Sequence, residues 1–309
     1  MAQLTTADLS ELPSSYESPR DIGDVLIGED TARPLTEACS SGNDTTLRGL
    51  LSQPQWIKTM LEKPHVIYSE SVLDDMHQVL AKPMSNIERC FTVATQNGHA
   101  SVVSTLFTFA TDQNVDASTF MTRSLMNKAI SGGHAAVIKA LASADPKVIT
   151  FPLFHGALPL YEAIRLRKPD VVAVLLELGA DPLHPVSFPK TLDTHGPYLM
   201  SHAVFGIPGE SRIIEMLIKH GTPVAGTGAL HCAARSGKLG IMRLLIQHGA
   251  DANETISNLY NWTPMHFAAS RGQIDAMKLL EEHGARSDFK DEDGKTAAQL
   301  LDERKAVEH

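Results

Sequence analysis

The chain has 309 residues and a formal net charge of −9; 43% of its residues are hydrophobic and 6% aromatic. These values allow a sizeable core of small and aliphatic side chains. An acidic balance with no Lys/Arg run argues against nucleic acid and anionic membrane surfaces as partners. The longest apolar candidate, residues 171–178, is broken by Glu177 and is far short of a membrane span.

Residues 1–30 are polar and acidic, without a basic start and apolar core, so no secretory leader is expected. A pattern then begins that recurs along the chain: a helical segment centred on alanine, a glycine, and a second helix with an apolar stripe. Ala38 follows Arg33-Pro34-Leu35 and precedes Gly42 and the stripe Leu47, Leu50, Leu51. Residues 56–84 interrupt the pattern, and Val72, Met76 and Leu80 suggest an added helix there. Ala94 precedes Asn97-Gly98-His99 and Val102, Val103, Leu106. Ala129 precedes Gly132-Gly133-His134 and Val137, Ile138, Leu141.

The next unit holds Ala163 after Leu158-Pro159-Leu160 and ends in Leu178-Gly179-Ala180-Asp181. An insertion near 184–192 follows, and Pro182, Pro185 and Pro189 make it an extended loop. Ala203 centres the following unit, with a small insertion at Ile207-Pro208. Ala233 sits in Ala229-Leu230-His231-Cys232-Ala233-Ala234. The clearest unit comes next: Thr263-Pro264-Met265-His266-Phe267-Ala268-Ala269, then Gly272, then a stripe of Ile274, Met277, Leu279 and Leu280, closed by His283-Gly284-Ala285. Asp291 to Ala298 restarts the unit, and only half of it follows.

The Thr263 run and its phased echoes resemble the ankyrin repeat, whose signature is T-P-L-H-x-A with a period of about 33 residues. The resemblance implies an all-α ankyrin-repeat solenoid: helix-turn-helix units joined by β-hairpin-like loops. It covers residues 31–309, as about seven repeats and a C-terminal half repeat, behind an N-terminal extension at 1–30. Pro at the first turn costs no hydrogen bond, and the inter-helix glycine supplies a positive φ. Neither helix buries its apolar face alone, so the units must stack.

No catalytic motif is present: no phosphate-binding or dinucleotide glycine loop, no H-E-x-x-H, no G-x-S-x-G. The three cysteines (Cys39, Cys90, Cys232) form no C-x-x-C and are expected as reduced, buried thiols. Most of the 14 histidines fall in repeat slots. His231 and His266 occupy the T-P-L-H position, where the family uses the ring to bond backbone between hairpins. His99 and His134 follow the inter-helix glycine, and His220, His248 and His283 close second helices. No metal site and no cofactor are expected.

The resemblance further implies a concave groove built from hairpin tips and inner-helix ends. The candidate contacts are Phe154, His155, Arg165, His195, Phe205, Arg235, Tyr260, Trp262 and Arg271. Exposed aromatics and arginines on one face are the residue types of interface hot spots. Arg123, Arg165, Arg235 and Arg271 together would suit a carboxylate-bearing ligand. The expected function is non-enzymatic recognition of a protein partner, by a monomer in the cytoplasm or nucleus. The alternative is a small-molecule or catalytic pocket in which His155 and His195 act as acid and base, closed by Phe188 or by Ile207-Pro208.

Overall fold

The structure is a computed structural model. It describes residues 30–62, 85–116, 120–153, 157–183, 199–204, 211–255 and 260–307, together with the backbone of a few short strand segments. The chain divides into two compact units, Met1–Leu153 and Phe154–His309.

In the first unit three helix pairs follow the alanine-glycine frame. They are α1 (Arg33–Ser40) with α2 (Asp44–Leu51), α4 (Asn86–Gln96) with α5 (Ala100–Asp112), and α6 (Arg123–Gly132) with α7 (Ala135–Ala144). An additional helix, α3 (Pro54–Leu61), follows the first pair. First helices pack on first helices (α1 on α4, α4 on α6) and second on second, giving two layers. Between them lie Leu35, Leu47, Ile87, Phe91, Leu106, Met126, Ile130 and Ile138, all almost fully buried. Each such side chain contributes about 1.5–3 kcal/mol. The Phe91 ring lies 4.6 Å from Phe107 and 5.3 Å from Phe120.

The start of each helix is written in its sequence. Ser85 and Glu88 form a reciprocal capping box on α4, and the Thr122 hydroxyl accepts from Leu125 N–H on α6. Asp30, ahead of the first repeat, receives two hydrogen bonds from Arg89 at 2.8 and 3.0 Å. That half-buried pair fastens the approach to α1 onto α4, and the guanidinium holds the Asp30 carboxyl below its ordinary pKa.

The insertion after α3 departs from expectation. Val72–Leu73 (β4) and Val79–Ala81 (β5) are extended and paired antiparallel, with Val72 opposite Leu80. β5 also pairs with Ala2–Gln3 (β1), and Val25–Leu26 (β2) pairs with Ile67–Tyr68 (β3). The added helix is therefore α3, and not a helix through Val72 and Leu80; Met76 lies outside the described residues. Val72 and Val79 are β-branched and favour the extended backbone. Their helical spacing is a coincidence of two strands.

The second unit holds four more pairs and a terminal helix. They are α8 (Pro159–Arg165) with α9 (Pro169–Glu177), α10 (Leu199–Val204) with α11 (Arg212–Lys219), α12 (Ala229–Arg235) with α13 (Leu239–Gln247), and α14 (Pro264–Ser270) with α15 (Ile274–Glu282). The terminal α16 (Ala297–Val307) packs on α14, in the place of a further first helix. The described helix pairs thus reproduce the seven repeats and the half repeat of the sequence frame. The loop at 184–192 lies outside the described residues.

Candidate functional site

Stacking is held by hydrogen bonds that recur in the same slots. After the inter-helix glycine, His99 Nε2–H donates to the Ser40 carbonyl, and His134 Nε2–H to the Gln96 carbonyl, both at 2.9 Å. Each acceptor lies at the end of the preceding first helix, where carbonyls lack partners. Lys238 fills that slot in the second unit and reaches the Val204 carbonyl at 2.6 Å. The glycines are required by the same contact. Gly98 has φ +80°, and a Cβ there would stand 2.5 Å from His134 Nδ1.

At the opposite end of the first helices, His266 Nε2–H donates to the Lys295 carbonyl of the next hairpin at 3.2 Å. Its Nδ1 accepts from the Thr263 hydroxyl at 2.8 Å. His231 makes the equivalent bond to the Glu254 carbonyl at 2.9 Å, but its Nδ1 has no partner. The reason is in the sequence: Gly228 stands where Thr263 stands one repeat later, and it occupies a left-handed conformation (φ +70°). Burial pushes the His231 pKa down to about 4, and burial also lowers that of His266. His220 and His248 donate from Nδ1 to the carbonyl four residues back and finish their own helices. These rings are structural.

Among the predicted contacts, Tyr260 and Trp262 share one hairpin tip. Tyr260 is 65% exposed and its φ is +55°, followed by Asn261 at +53°. Two consecutive left-handed residues make the tight reversal; Asn tolerates this, whereas for Tyr it costs about 1–2 kcal/mol. The tip is braced by its neighbour: the Tyr260 carbonyl accepts from Glu292 N–H at 3.2 Å. Trp262 is half-buried. Its Nε1–H donates to Asp291 Oδ2 at 3.0 Å, and its ring meets Phe267 edge-on at 5.2 Å. Trp262 is thus part of the brace, and Tyr260 is the side chain it presents.

Arg165, Arg235 and Arg271 lie at the other end of the first helices, whereas Arg123 starts its own helix, α6. Arg165 ends α8 and is held by both carboxylate oxygens of Glu162, at 2.8 and 2.5 Å. Arg235 ends α12, and Arg271 caps α14. Arg271 is exposed and makes no side-chain hydrogen bond or ion pair among the described residues. A seven-residue helix is about 10 Å long, so Tyr260 and Arg271 stand on opposite rims of one first-helix row. Arg123 belongs to the first unit, where its guanidinium lies 5.9 Å from the Phe151 ring centre. Phe154, His155, His195 and Phe205 lie outside the described residues. Sequence reading passed over Lys238 and Arg304, both on the arginine rim. Lys238 was detectable, since it follows Gly237 as His99 follows Gly98.

The three cysteines are free and buried. Cys90 is held protonated by its hydrogen bond with Cys39 and by burial, and burial raises the Cys232 pKa to about 12. Neither Cys90 nor Cys232 is thus the thiolate that reactivity needs. Among the described residues no group of three or more His, Cys, Asp or Glu is arranged to hold a metal ion. No helix there is long and apolar enough to cross a membrane.

A two-layer stack of short helix pairs, bonded through these slots, defines a repeat protein. The family model for ankyrin repeats, in three copies, matches residues 91–185 and 200–291, more than half of the chain. The chain belongs to the ankyrin-repeat family, whose repeats are generally protein–protein interaction modules. Among solved structures, the ankyrin repeat domain of Bcl-3, described as a unique member of the IkappaB protein family, shares the fold. Its TM-score is 0.53 at 20% identity, over 70% of this chain and 97% of that one. No curated protein matches the chain by sequence comparison.

Proposed function

We propose that the chain is a binding module that recognises a protein partner across the first-helix row of its second unit, between hairpin tips and arginine rim. The observation that carries this reading is Tyr260. A large aromatic is kept in a left-handed backbone and left mostly in water, although glycine would relieve the strain. It sits on a hairpin braced by Trp262 and Asp291, so presenting it to a partner costs little ordering entropy. Exposed Arg271 on the opposite rim adds a second hot-spot residue type.

The test is Tyr260→Gly. Relief of the left-handed strain (about 1–2 kcal/mol), offset by the chain entropy that glycine adds to the unfolded state (about 0.4–1 kcal/mol), leaves the variant at least as stable. A binding role predicts that it captures less partner from an extract of the producing cells, with Arg271→Ala weakening capture further. Loss of stability with undiminished capture would show that Tyr260 serves the fold. The small-molecule and acid–base alternative rests on His155 and His195, outside the described residues, and no observation favours it.

A further inference from the structure

The buried histidine at the foot of the Tyr260 hairpin has a titratable nitrogen tied into that hairpin. His266 is 1% exposed, as is Thr263. Its Nδ1 accepts two hydrogen bonds, from the Thr263 hydroxyl at 2.8 Å and from the Thr263 amide N–H at 3.3 Å. The ring also stacks on the Trp262 indole, with centroids 6.4 Å apart and planes at 23°. Trp262 in turn lies 6.3 Å from the Tyr260 ring. One imidazole thus holds the start of α14 and supports the indole that braces the tip.

Protonation reverses the role of this nitrogen. A neutral ring with its proton on Nε2 accepts at Nδ1, whereas the imidazolium donates from both nitrogens. The Thr263 hydroxyl can turn and accept instead, but the amide N–H cannot. Two N–H groups would then face each other across 3.3 Å in the core, and a buried amide is not left without an acceptor. The peptide that must move joins Trp262 to Thr263. The Lys295 carbonyl is indifferent, since Nε2 donates to it in either state. Asp291 of the next hairpin is the charge whose field favours the imidazolium, and burial outweighs it, so the pKa lies below its ordinary value. Glu292 and Asp293 on that hairpin are exposed. The Lys295 ammonium is turned to Glu303 of α16, and α15 pairs its Asp275 with Lys278. From α12 comes the buried His231, bonded to the Glu254 carbonyl. Arg235 and Arg304 stand at the opposite end of the first helices.

Resting on the partner-binding reading, we propose that His266 is a proton-operated latch beneath the Tyr260 tip, closed when neutral and opened by protonation, so that partner binding here weakens as the surroundings acidify. The sign is fixed by linkage. A released ring is solvated and titrates at the ordinary histidine value of about 6.5, whereas the latched ring resists the proton. Protons therefore bind the released form in preference, and release grows as pH falls below about 6.5. His231 provides the contrast within the chain. Gly228 gives its Nδ1 nothing to hold, so its titration opens no such latch.

The test uses the full chain with Trp56→Phe, which leaves Trp262 as its one tryptophan. Acrylamide quenching of Trp262 is followed from pH 7.5 to pH 5, with far-UV circular dichroism as the check on the fold. The expected result is about twofold stronger quenching at the acid end, from local opening of the tip, with a midpoint below about 6.5 and an unchanged helix signal. His266→Gln keeps an amide N–H for the Lys295 carbonyl and an oxygen for the Thr263 amide, and should abolish the change. His231→Gln should retain it. Histidine ring NMR of the parent chain reads the His266 titration directly, and its midpoint should coincide with that of the quenching even where His266→Gln folds poorly. A flat quenching profile, a response retained by His266→Gln, midpoints that differ, or loss of helix over the same range would overturn the latch. Capture of partner from extract at pH 7.5 and pH 5.5 separates the latch from the reading it rests on. Loss of capture at pH 5.5 that His266→Gln restores supports both. Tyr260-dependent capture that is equal at the two pH values keeps the binding reading and overturns the latch as its control. Capture that never depends on Tyr260 overturns the binding reading, and the quenching profile still decides the latch.

Discussion

At the residue scale, one substitution separates two otherwise equivalent histidines. His266 has Thr263 for its Nδ1, whereas His231 has Gly228 and an orphaned nitrogen in the core. A buried acceptor without a partner costs about 1–3 kcal/mol. His231 is 1% exposed, and its folded pKa of about 4 lies below the ordinary 6.5. The sign follows directly. Between pH 6.5 and about 4 the unfolded chain binds a proton at this site and the folded chain does not, so stability falls as pH falls through that window. Above the window both states are neutral; below it both are charged. The full effect is on the order of 3 kcal/mol. His231→Gln retains an amide donor for the Glu254 carbonyl and removes the titration. Denaturant unfolding should therefore show a flatter pH dependence for the variant between pH 6.5 and 4, and equal slopes would contradict the assignment.

At the element scale, the inter-helix turn is the joint between repeats. Gly98→Ala places a Cβ into His134 and forces an alanine to φ +80°. The expected loss is about 2–4 kcal/mol, from the backbone term and the displaced hydrogen bond. Gly49, inside α2, is the internal control: a Cβ there meets nothing within 4 Å. Gly49→Ala should stabilise by about 0.5–1 kcal/mol. Urea titration of both variants checks the pair, and a similar sign for the two would refute the joint. These joints were legible in the sequence because glycine, histidine and the apolar stripe recur in phase. The region after α3 was not, since Val72 and Leu80 satisfy both a helical spacing and a strand pairing, and short apolar runs do not discriminate. Tyr260 was legible as an unexplained aromatic. The engagement of Trp262 with Asp291 was not, because it depends on how the next hairpin stacks. Lys238 was hidden by chemistry: a lysine does the work of a histidine in the same slot.

At the scale of the whole molecule, repeats contact only their neighbours, so stability is approximately a sum of units and interfaces. Short helices of seven or eight residues do not persist alone; the slots that join them fix the spacing of the rims. The consequence is a separation of duties. Histidines, glycines and Trp262 hold the stack, and the variable residues beside them, Tyr260 and Arg271, face outward without a structural task. Binding surfaces of such proteins are read from residues that the repeat does not need.

A protein partner on the first-helix row of the second unit would lie within reach of the Tyr260 side chain, and this can be probed covalently. The experiment places a photo-crosslinking benzoylphenylalanine at position 260 and, in a separate variant, at exposed Glu282 at the end of α15. The expected result is a discrete protein adduct from position 260 on irradiation in cell extract, diminished by Arg271→Glu, and none from position 282. Equal adducts from both positions, or none from position 260 where position 282 gives one, would contradict it.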